Sequence, residues 1–161
     1  MGAADAAGQI VRDIIEASRY LVLATADETG RPWSSPVYFA HIDVTEFFWV
    51  SSPDATHSVN IAVRPEVGIA VFDSQVAIGT GQGVYMSAVT KLLRDDEAAP
   101  GIEAFSRRSV AHGGREWTIE DVRPGTGMRL YRAVADAHWI LAKDGRPDYR
   151  VRVPLTRHHP E

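Results

Sequence analysis

Short extended segments rich in aromatic and β-branched residues are the feature of this sequence that most constrains its fold. Residues 20–26 and 32–42 flank an Asp-Glu-Thr-Gly turn, in which Gly30 can adopt the positive φ that closes a hairpin. Further extended segments follow at residues 46–51, 67–72, 82–93, 128–141 and 150–155. These six or seven strands, with peripheral helices at 5–18, after Ser51 and within 95–127, predict a mainly β (α+β) fold. The expected architecture is an antiparallel barrel that is closed or nearly closed.

One predicted strand is apolar on both of its faces, as the run Phe47-Phe48-Trp49-Val50 shows. Successive side chains of a strand point to opposite faces of a sheet, so both faces of this strand must be covered. A barrel interior covers only one of them. The simplest cover for the outer face is a second copy of the chain, so we expect a homodimer.

The chain has 161 residues, and this length predicts one domain that spans residues 1–161. The segment at residues 95–127 looks helical and is interrupted by Pro100-Gly101. It is interpreted as a helical insertion, which forms either a lid or a layer packed on the barrel.

Composition excludes several classes of protein. The absence of cysteine excludes disulfide scaffolds, thiolate metal sites and cysteine nucleophiles, and the six histidines have no metal-ligand spacing. A net charge of −4 provides no basic field for nucleic acid. No apolar run is long enough to span a membrane. We therefore expect a cytoplasmic protein without a metal site that binds neither nucleic acid nor membranes.

The most informative stretch for function is residues 49–61, where a strand ending in Ser51 and Ser52 leads into a helix that carries His57 and Asn60. Ser52-Pro53-Asp54 is typical of a helix start, with Ser52 as the N-cap. Free N–H groups at a helix N-terminus, hydroxyl groups and an imidazole together can bind a phosphate. The alternative is that Ser52 only caps the helix and that His57 faces solvent.

A set of short motifs resembles the pyridoxamine 5′-phosphate oxidase-like family of split β-barrel proteins. They are Leu21-Val-Leu-Ala-Thr25, Gly30-Arg-Pro32, Ser35-Pro-Val37, Phe48-Trp-Val-Ser-Ser52, His57-x-x-Asn-Ile61 and Arg64-Pro-Glu-Val67. The resemblance covers about residues 20–93 and continues more weakly through residues 131–153. It implies a split barrel that binds FMN, or the deazaflavin coenzyme F420, in two equivalent clefts at a homodimer interface.

The resemblance also implies which residues contact the cofactor. The second strand would lie beside the flavin ring, the end of the aromatic strand would approach the ribityl chain and phosphate, and the following helix would hold the phosphate. Gln82 matches a family glutamine that reaches the cofactor, although a solvated loop position is the alternative. The full set of expected cofactor-binding residues is Ser35, Pro36, Val37, Tyr38, Val50, Ser51, Ser52, His57, Asn60 and Gln82.

Three positions depart from the family pattern. His57 stands where members usually carry Lys or Arg, which would make phosphate affinity sensitive to pH. Ser35 stands where many members have Arg, and Ser87 where many have Gly. The Trp and Arg with which true pyridoxamine 5′-phosphate oxidases bind their substrate have no convincing match. Trp139 is interpreted either as barrel core or as a residue that stacks at the cleft of the partner subunit.

The function implied by the resemblance is that of a flavin-type oxidoreductase that transfers hydride to or from a small-molecule substrate. No catalytic residue is assigned, because the sequence offers no nucleophile motif and no convincing acid or base. The alternative is a non-catalytic flavin- or haem-binding and storage protein built on the same barrel.

Overall fold

Eight antiparallel strands form one curled sheet in residues 2–155, the part of the chain that the computed structural model describes. The strands are β1 (Tyr20–Ala26), β2 (Pro32–Tyr38), β3 (Ala40–Ile42), β4 (Glu46–Ser51), β5 (Glu66–Phe72), β6 (Gly83–Leu92), β7 (Arg129–Leu141) and β8 (Arg150–Arg152). Their order in the sheet is β2-β1-β5-β6-β7-β4-β3, and β8 pairs with β7. The helices are α1 (Ala3–Ala17), α2 (Thr56–Val63) and α3 (Ala99–Ala111), with a 3₁₀ turn at Ile119–Val122.

The predicted antiparallel split barrel with peripheral helices is confirmed. The strand count is eight because the extended stretch at 32–42, predicted as one strand, is divided at Phe39 into β2 and β3. The strand predicted at 150–155 is present as the short β8, which pairs with β7. The β1–β2 hairpin closes where it was predicted to close, with Gly30 at φ 88°. The helix expected at 5–18 lies at Ala3–Ala17.

The interior of the barrel is filled by alternate residues of the strands. Leu21 and Leu23 of β1 and Phe47 and Trp49 of β4 are buried there. Helix α1 adds Val11 and Ile15 to this core, and the remaining face of the helix is largely exposed. Its apolar stripe is therefore buried against the barrel, as its amphipathic sequence predicts.

The outer face of β4 is covered by the chain's own residues. Phe48 packs with Leu130 of β7 against Ile102 of α3 and Val122 of the 3₁₀ turn, and this second core is separate from the barrel interior. The segment 95–127 thus packs on the barrel wall. The expectation that the aromatic run requires a second copy of the chain as its cover is wrong for β4, since α3 already covers Phe48.

Arg108 of α3 joins this outer layer to helix α1. Its Nη2 donates to the backbone oxygens of Ile15 and Ser18 at 3.1 and 2.8 Å, and its guanidinium lies 5.2 Å from the ring centroid of Phe39. The last carbonyl groups of a helix have no partner within the helix, and a cation there also favours the helix dipole. Arg108 therefore caps α1 and fixes α3 against it.

The approach of α3 to β4 depends on a glycine. A Cβ placed on Gly101 would lie 2.5 Å from Cδ1 of Phe48, which is 2% exposed and cannot easily move. We expect Gly101→Ala to lower the free energy of unfolding by about 2 kcal/mol in urea denaturation, because overpacking outweighs the gain in helix propensity. Gly81→Ala is the control, since its Cβ would meet no atom closer than 4.0 Å. Equal stabilities of the two variants would contradict this packing.

Candidate functional site

His57 lies between β2 and β4, where it forms a cluster with two serines. Its Nδ1 is 3.2 Å from Oγ of Ser35, and its Nε2 is 2.9 Å from Oγ of Ser51. Ser35 also accepts a hydrogen bond of 2.9 Å from Nε1 of Trp33. We call Ser35, Ser51 and His57 the serine–histidine cluster. Three of the expected cofactor residues, from three different elements, thus come together.

His57 is only 9% exposed, and burial lowers the pKa of its imidazole below that of a free histidine. The ring is therefore neutral at pH 7 and exchanges hydrogen bonds with hydroxyl groups. Desolvation thus disfavours the imidazolium in this structure, which argues against the expected pH-sensitive positive charge at His57.

Helix α2 begins four residues after Ser52, so the expectation that Ser52 is its N-cap is wrong. The hydroxyl of Ser52 accepts the N–H of Asp54 at 3.1 Å, and its carbonyl accepts the N–H of Ala55 at 3.2 Å. Both bonds belong to a turn that precedes the helix. The cap position is occupied by Ala55, which has no side-chain acceptor. No side chain of residues 2–155 therefore caps the first N–H groups of α2.

This helix start has the donors that a phosphate requires. The N–H groups of the first three helical residues, Thr56, His57 and Ser58, have no acceptor within a helix, and no acidic residue lies in the first turn. The buried Oγ of Ser58 has no hydrogen-bond partner among the described residues. These donors fit the anionic tail of a flavin nucleotide. All the hydrogen-bond donors of the serine–histidine cluster and of the helix start are neutral.

Two other expected cofactor residues are engaged in structural hydrogen bonds. Nδ2 of Asn60, which is 4% exposed, donates to Oγ1 of Thr25 at 2.9 Å. Gln82 donates to the carbonyl of Leu141 and accepts the N–H groups of Gly83 and Leu141, at 2.8–2.9 Å. Asn60 thus fastens α2 to β1, and Gln82 fastens the start of β6 to the end of β7.

Pro36, Tyr38 and Val50 lie on the other side of the sheet from the serine–histidine cluster. Side chains alternate between the two faces along β2 and β4, so Ser35, Val37 and Ser51 point toward the barrel interior. Pro36, Tyr38 and Val50 point outward. The residues expected to surround one cofactor are therefore divided between two faces.

Tyr38 and Val50 line a cleft of about 520 Å³ between α3 and the start of the β1–β2 hairpin, which we call the α3 cleft. The hydroxyl of Tyr38 is 2.8 Å from Nδ1 of His112, and its ring packs edge-on against Phe105 at 5.5 Å. No local sequence pattern predicts the other residues of this cleft. The complete lining is Arg19, Tyr20, Tyr38, Val50, Phe105, Ser109, His112, Gly114, Arg115, Trp117 and Met128.

Trp139 is half-buried on the outer face of the sheet, where it pairs with Tyr85 of β6 and Arg152 of β8. The interpretation of Trp139 as barrel core is therefore wrong, because it lies on the face opposite to the buried His138 and Ile140. The side chains of residues 2–155 form no group of three or more histidines and carboxylates that could hold a metal ion. In the same part of the chain, no helix has the length and apolar character needed to cross a membrane.

Several solved structures resemble this fold at low sequence identity. A haem-binding protein from Mycobacterium smegmatis is 18% identical with a TM-score of 0.71, and the match covers 94% of this chain and 59% of that one. HutZ, a haem storage protein from Vibrio cholerae, is 20% identical with a TM-score of 0.64, and the match covers 80% of this chain and 89% of HutZ. An F420 reductase is 16% identical with a TM-score of 0.58, and the match covers 79% of this chain and 94% of the reductase. The chain thus spans less than two thirds of the mycobacterial protein.

Comparison of sequences identifies the family more directly. No curated protein is significantly similar to this chain. The sequence model of the pyridoxamine 5′-phosphate oxidase family, however, matches residues 8–130. This match includes the β1–β2 hairpin, β4, the serine–histidine cluster and helix α3. The chain therefore belongs to the pyridoxamine 5′-phosphate oxidase-like family.

Proposed function

We propose that this protein is an oxidoreductase that binds FMN, or the deazaflavin F420, as a homodimer and transfers hydride to or from a small molecule. The observation that carries the proposal is the uncapped start of α2 beside the serine–histidine cluster. Membership of a family that includes flavin-dependent oxidases supports the choice of cofactor. The resemblance to an F420 reductase supports the deazaflavin as the alternative.

The phosphate of the cofactor would be held by neutral donors. The N–H groups of Thr56, His57 and Ser58 lie at the N-terminus of α2, which is the positive end of the helix dipole. The hydroxyl of Ser58 is available as a further donor. His57 contributes by positioning: its two ring nitrogens fix the hydroxyls of Ser35 and Ser51 at the edge of this seat.

The bound cofactor supplies the hydride chemistry, and the protein's part is placement and exclusion of water. Burial raises the pKa of Tyr38, so its phenol stays protonated at neutral pH. Burial and the nearby Arg108 and Arg19 lower the pKa of His112, so this ring is neutral as well. Neither group is assigned a catalytic role.

A storage or carrier protein for flavin or haem is the second candidate. Two of the similar structures are described as a haem-binding and a haem storage protein. The neutral serine–histidine cluster is compatible with binding without turnover. Cofactor titration followed by an assay for turnover separates the two functions. An enzyme passes hydride between its bound cofactor and a substrate, whereas a carrier binds the cofactor without this reaction.

A row of small residues on the outer face of the sheet supports the proposal that the protein is a homodimer. The strand register aligns Ser34, Ala24, Gly68, Ser87 and Ala137 in one row across five strands. These residues are small and uncharged, so another protein surface could approach the sheet closely. A second copy of the chain is the partner proposed for this row.

The proposed phosphate seat predicts the effect of a negative charge at His57. We expect His57→Glu to weaken FMN binding at least about hundredfold in a fluorescence titration, because like charges in contact cost several kcal/mol. His57→Gln, which is neutral, should retain binding within about fivefold. Val63→Glu adds the same charge to the exposed end of α2, and its affinity should match that of the unmodified protein.

Circular dichroism and urea unfolding of each variant establish that the chain is folded. Parallel titrations with FMN, F420 and haemin identify the cofactor. Undiminished binding by folded His57→Glu would contradict the proposed seat.

The neutral state of His57 predicts how affinity depends on pH. Between pH 7.0 and 8.5 the phosphate of FMN is fully ionised, and a buried histidine with a lowered pKa carries no proton to lose. We therefore expect the dissociation constant for FMN to stay constant within about twofold over this range. A progressive loss of affinity as the pH rises would show that an imidazolium contacts the phosphate.

The proposed dimer predicts the effect of a charge in the row of small residues. We expect the protein to sediment at twice the chain mass of 17.7 kDa, and Ala24→Arg to sediment as a monomer. Val110→Arg, which changes an exposed apolar residue of α3, should remain a dimer. A protein that is monomeric at micromolar concentration, or an Ala24→Arg dimer, would exclude this face as the interface.

A further inference from the structure

One edge of β7 is shared by two strands that do not meet. β4 pairs with the first part of β7, up to Val134, and β8 pairs with its last residues, from Trp139 onward. Residues 135–138 lie between these two pairings and border a cavity of about 520 Å³, which we call the β7 gap. Thr45 and the residues after β8 form its other walls. The volume lies within the usual range of small-molecule sites.

A bulge in the sheet brings a carboxylate to the β7 gap. The register of β6 and β7 shifts between Ser87 and Ala88, so Asp136 has no partner on β6. Such a bulge redirects the side chain of the extra residue. The carboxylate of Asp136 accepts the hydroxyl of Ser87 through Oδ1, whereas its Oδ2 has no partner among residues 2–155. Asp136 therefore offers a negatively charged acceptor to the gap that it lines.

His138 is only 4% exposed, but it also lines the β7 gap. Its Nε2 donates to the carbonyl of Val44 at 2.8 Å, and burial lowers its pKa, so the ring is neutral at pH 7. A neutral imidazole with its hydrogen on Nε2 has a lone pair on Nδ1. Within residues 2–155 this Nδ1 has no hydrogen-bond partner, which is unusual for a buried acceptor. A ligand that donates a hydrogen bond would satisfy it.

Arg152 brings a positive charge to the same cavity. Its guanidinium forms no hydrogen bond or ion pair in the described part of the chain, although Asp136 borders the same gap. Two opposite charges that face one cavity without contacting each other suit a ligand that carries both charges. Such a ligand forms a charge-assisted hydrogen bond with each of them.

From these observations we infer that the β7 gap binds a free α-amino acid with an aliphatic side chain. The ammonium group contacts Asp136 and Nδ1 of His138, and the carboxylate contacts Arg152. The aliphatic side chain packs on the apolar residues that follow β8, which are Val153, Pro154 and Leu155.

The β7 gap is separate from the proposed phosphate seat. Ser51 of the serine–histidine cluster pairs with Arg129 at the opposite end of β7. The row of small residues proposed as the dimer interface ends at Ala137, which also borders the gap, so the gap begins where that row ends. Binding of an amino acid therefore does not depend on the proposed cofactor.

The test titrates the full chain in a calorimeter with leucine and with two analogues that each lack one charge. The analogue 3-methylbutylamine lacks the carboxylate, and 4-methylpentanoate lacks the ammonium group. We expect each analogue to bind at least about tenfold more weakly than leucine, because one charge-assisted hydrogen bond is lost.

Two variants assign the charges of leucine to their partners. Arg152→Gln should weaken leucine binding about tenfold and leave the affinity for 3-methylbutylamine unchanged. Asp136→Asn should weaken leucine binding by a similar factor and leave the affinity for 4-methylpentanoate unchanged. The controls are Arg150→Gln and Asp148→Asn, since both residues are exposed and lie outside the lining. Arg150 is on the same strand as Arg152, but its guanidinium lies 4.2 Å from the ring centroid of Tyr85.

Circular dichroism establishes that each variant is folded. Failure of leucine to bind, equal affinity for leucine and either analogue, or equal effects of Arg152→Gln and Arg150→Gln would overturn the inference. Folded His57→Glu should bind leucine normally, and Arg152→Gln should bind FMN normally. Failure of the phosphate seat and failure of the β7 gap thus remain distinguishable.

Discussion

The requirement to cover both faces of β4 organises the rest of this structure. Phe47 and Trp49 belong to the barrel interior, while Phe48 lies in a second core with α3 and the 3₁₀ turn. A strand with large apolar side chains on both faces cannot lie at a solvated surface without a substantial loss of stability. The segment between β6 and β7 therefore has to return over β4, and its return creates the α3 cleft beside the hairpin of β1 and β2.

Alternation along β2 and β4 also gives the molecule two candidate sites in place of one. The inward residues form a neutral cluster next to an uncapped helix, which suits a phosphate. The outward residues border the α3 cleft, which also contains Arg19, whose guanidinium forms no hydrogen bond or ion pair within residues 2–155. Hydride transfer needs the reacting atoms of cofactor and substrate within about 3–3.5 Å of each other, so two surfaces on opposite sides of one sheet are not by themselves a cofactor and substrate pair.

Sequence reasoning predicted features that depend on local patterns and failed where distant segments meet. The hairpin at Gly30, the split barrel and the grouping of Ser51 with His57 follow from turn chemistry, strand periodicity and motif resemblance. The contact between Tyr38 and His112 joins residues that are 74 positions apart, and no local pattern signals it. The start of α2 was misplaced because the hydroxyl of Ser52 can accept an N–H in a turn as readily as at a helix cap.

The three hydrogen bonds of Gln82 have an evolutionary consequence. They close the start of β6 onto the end of β7, so the exposed loop at residues 73–81 is attached to a strand pair that does not depend on the loop's own contacts. Insertions, deletions and new side chains can accumulate in that loop without loosening the barrel. Related proteins could thus diversify what they recognise at this rim while inheriting the same scaffold.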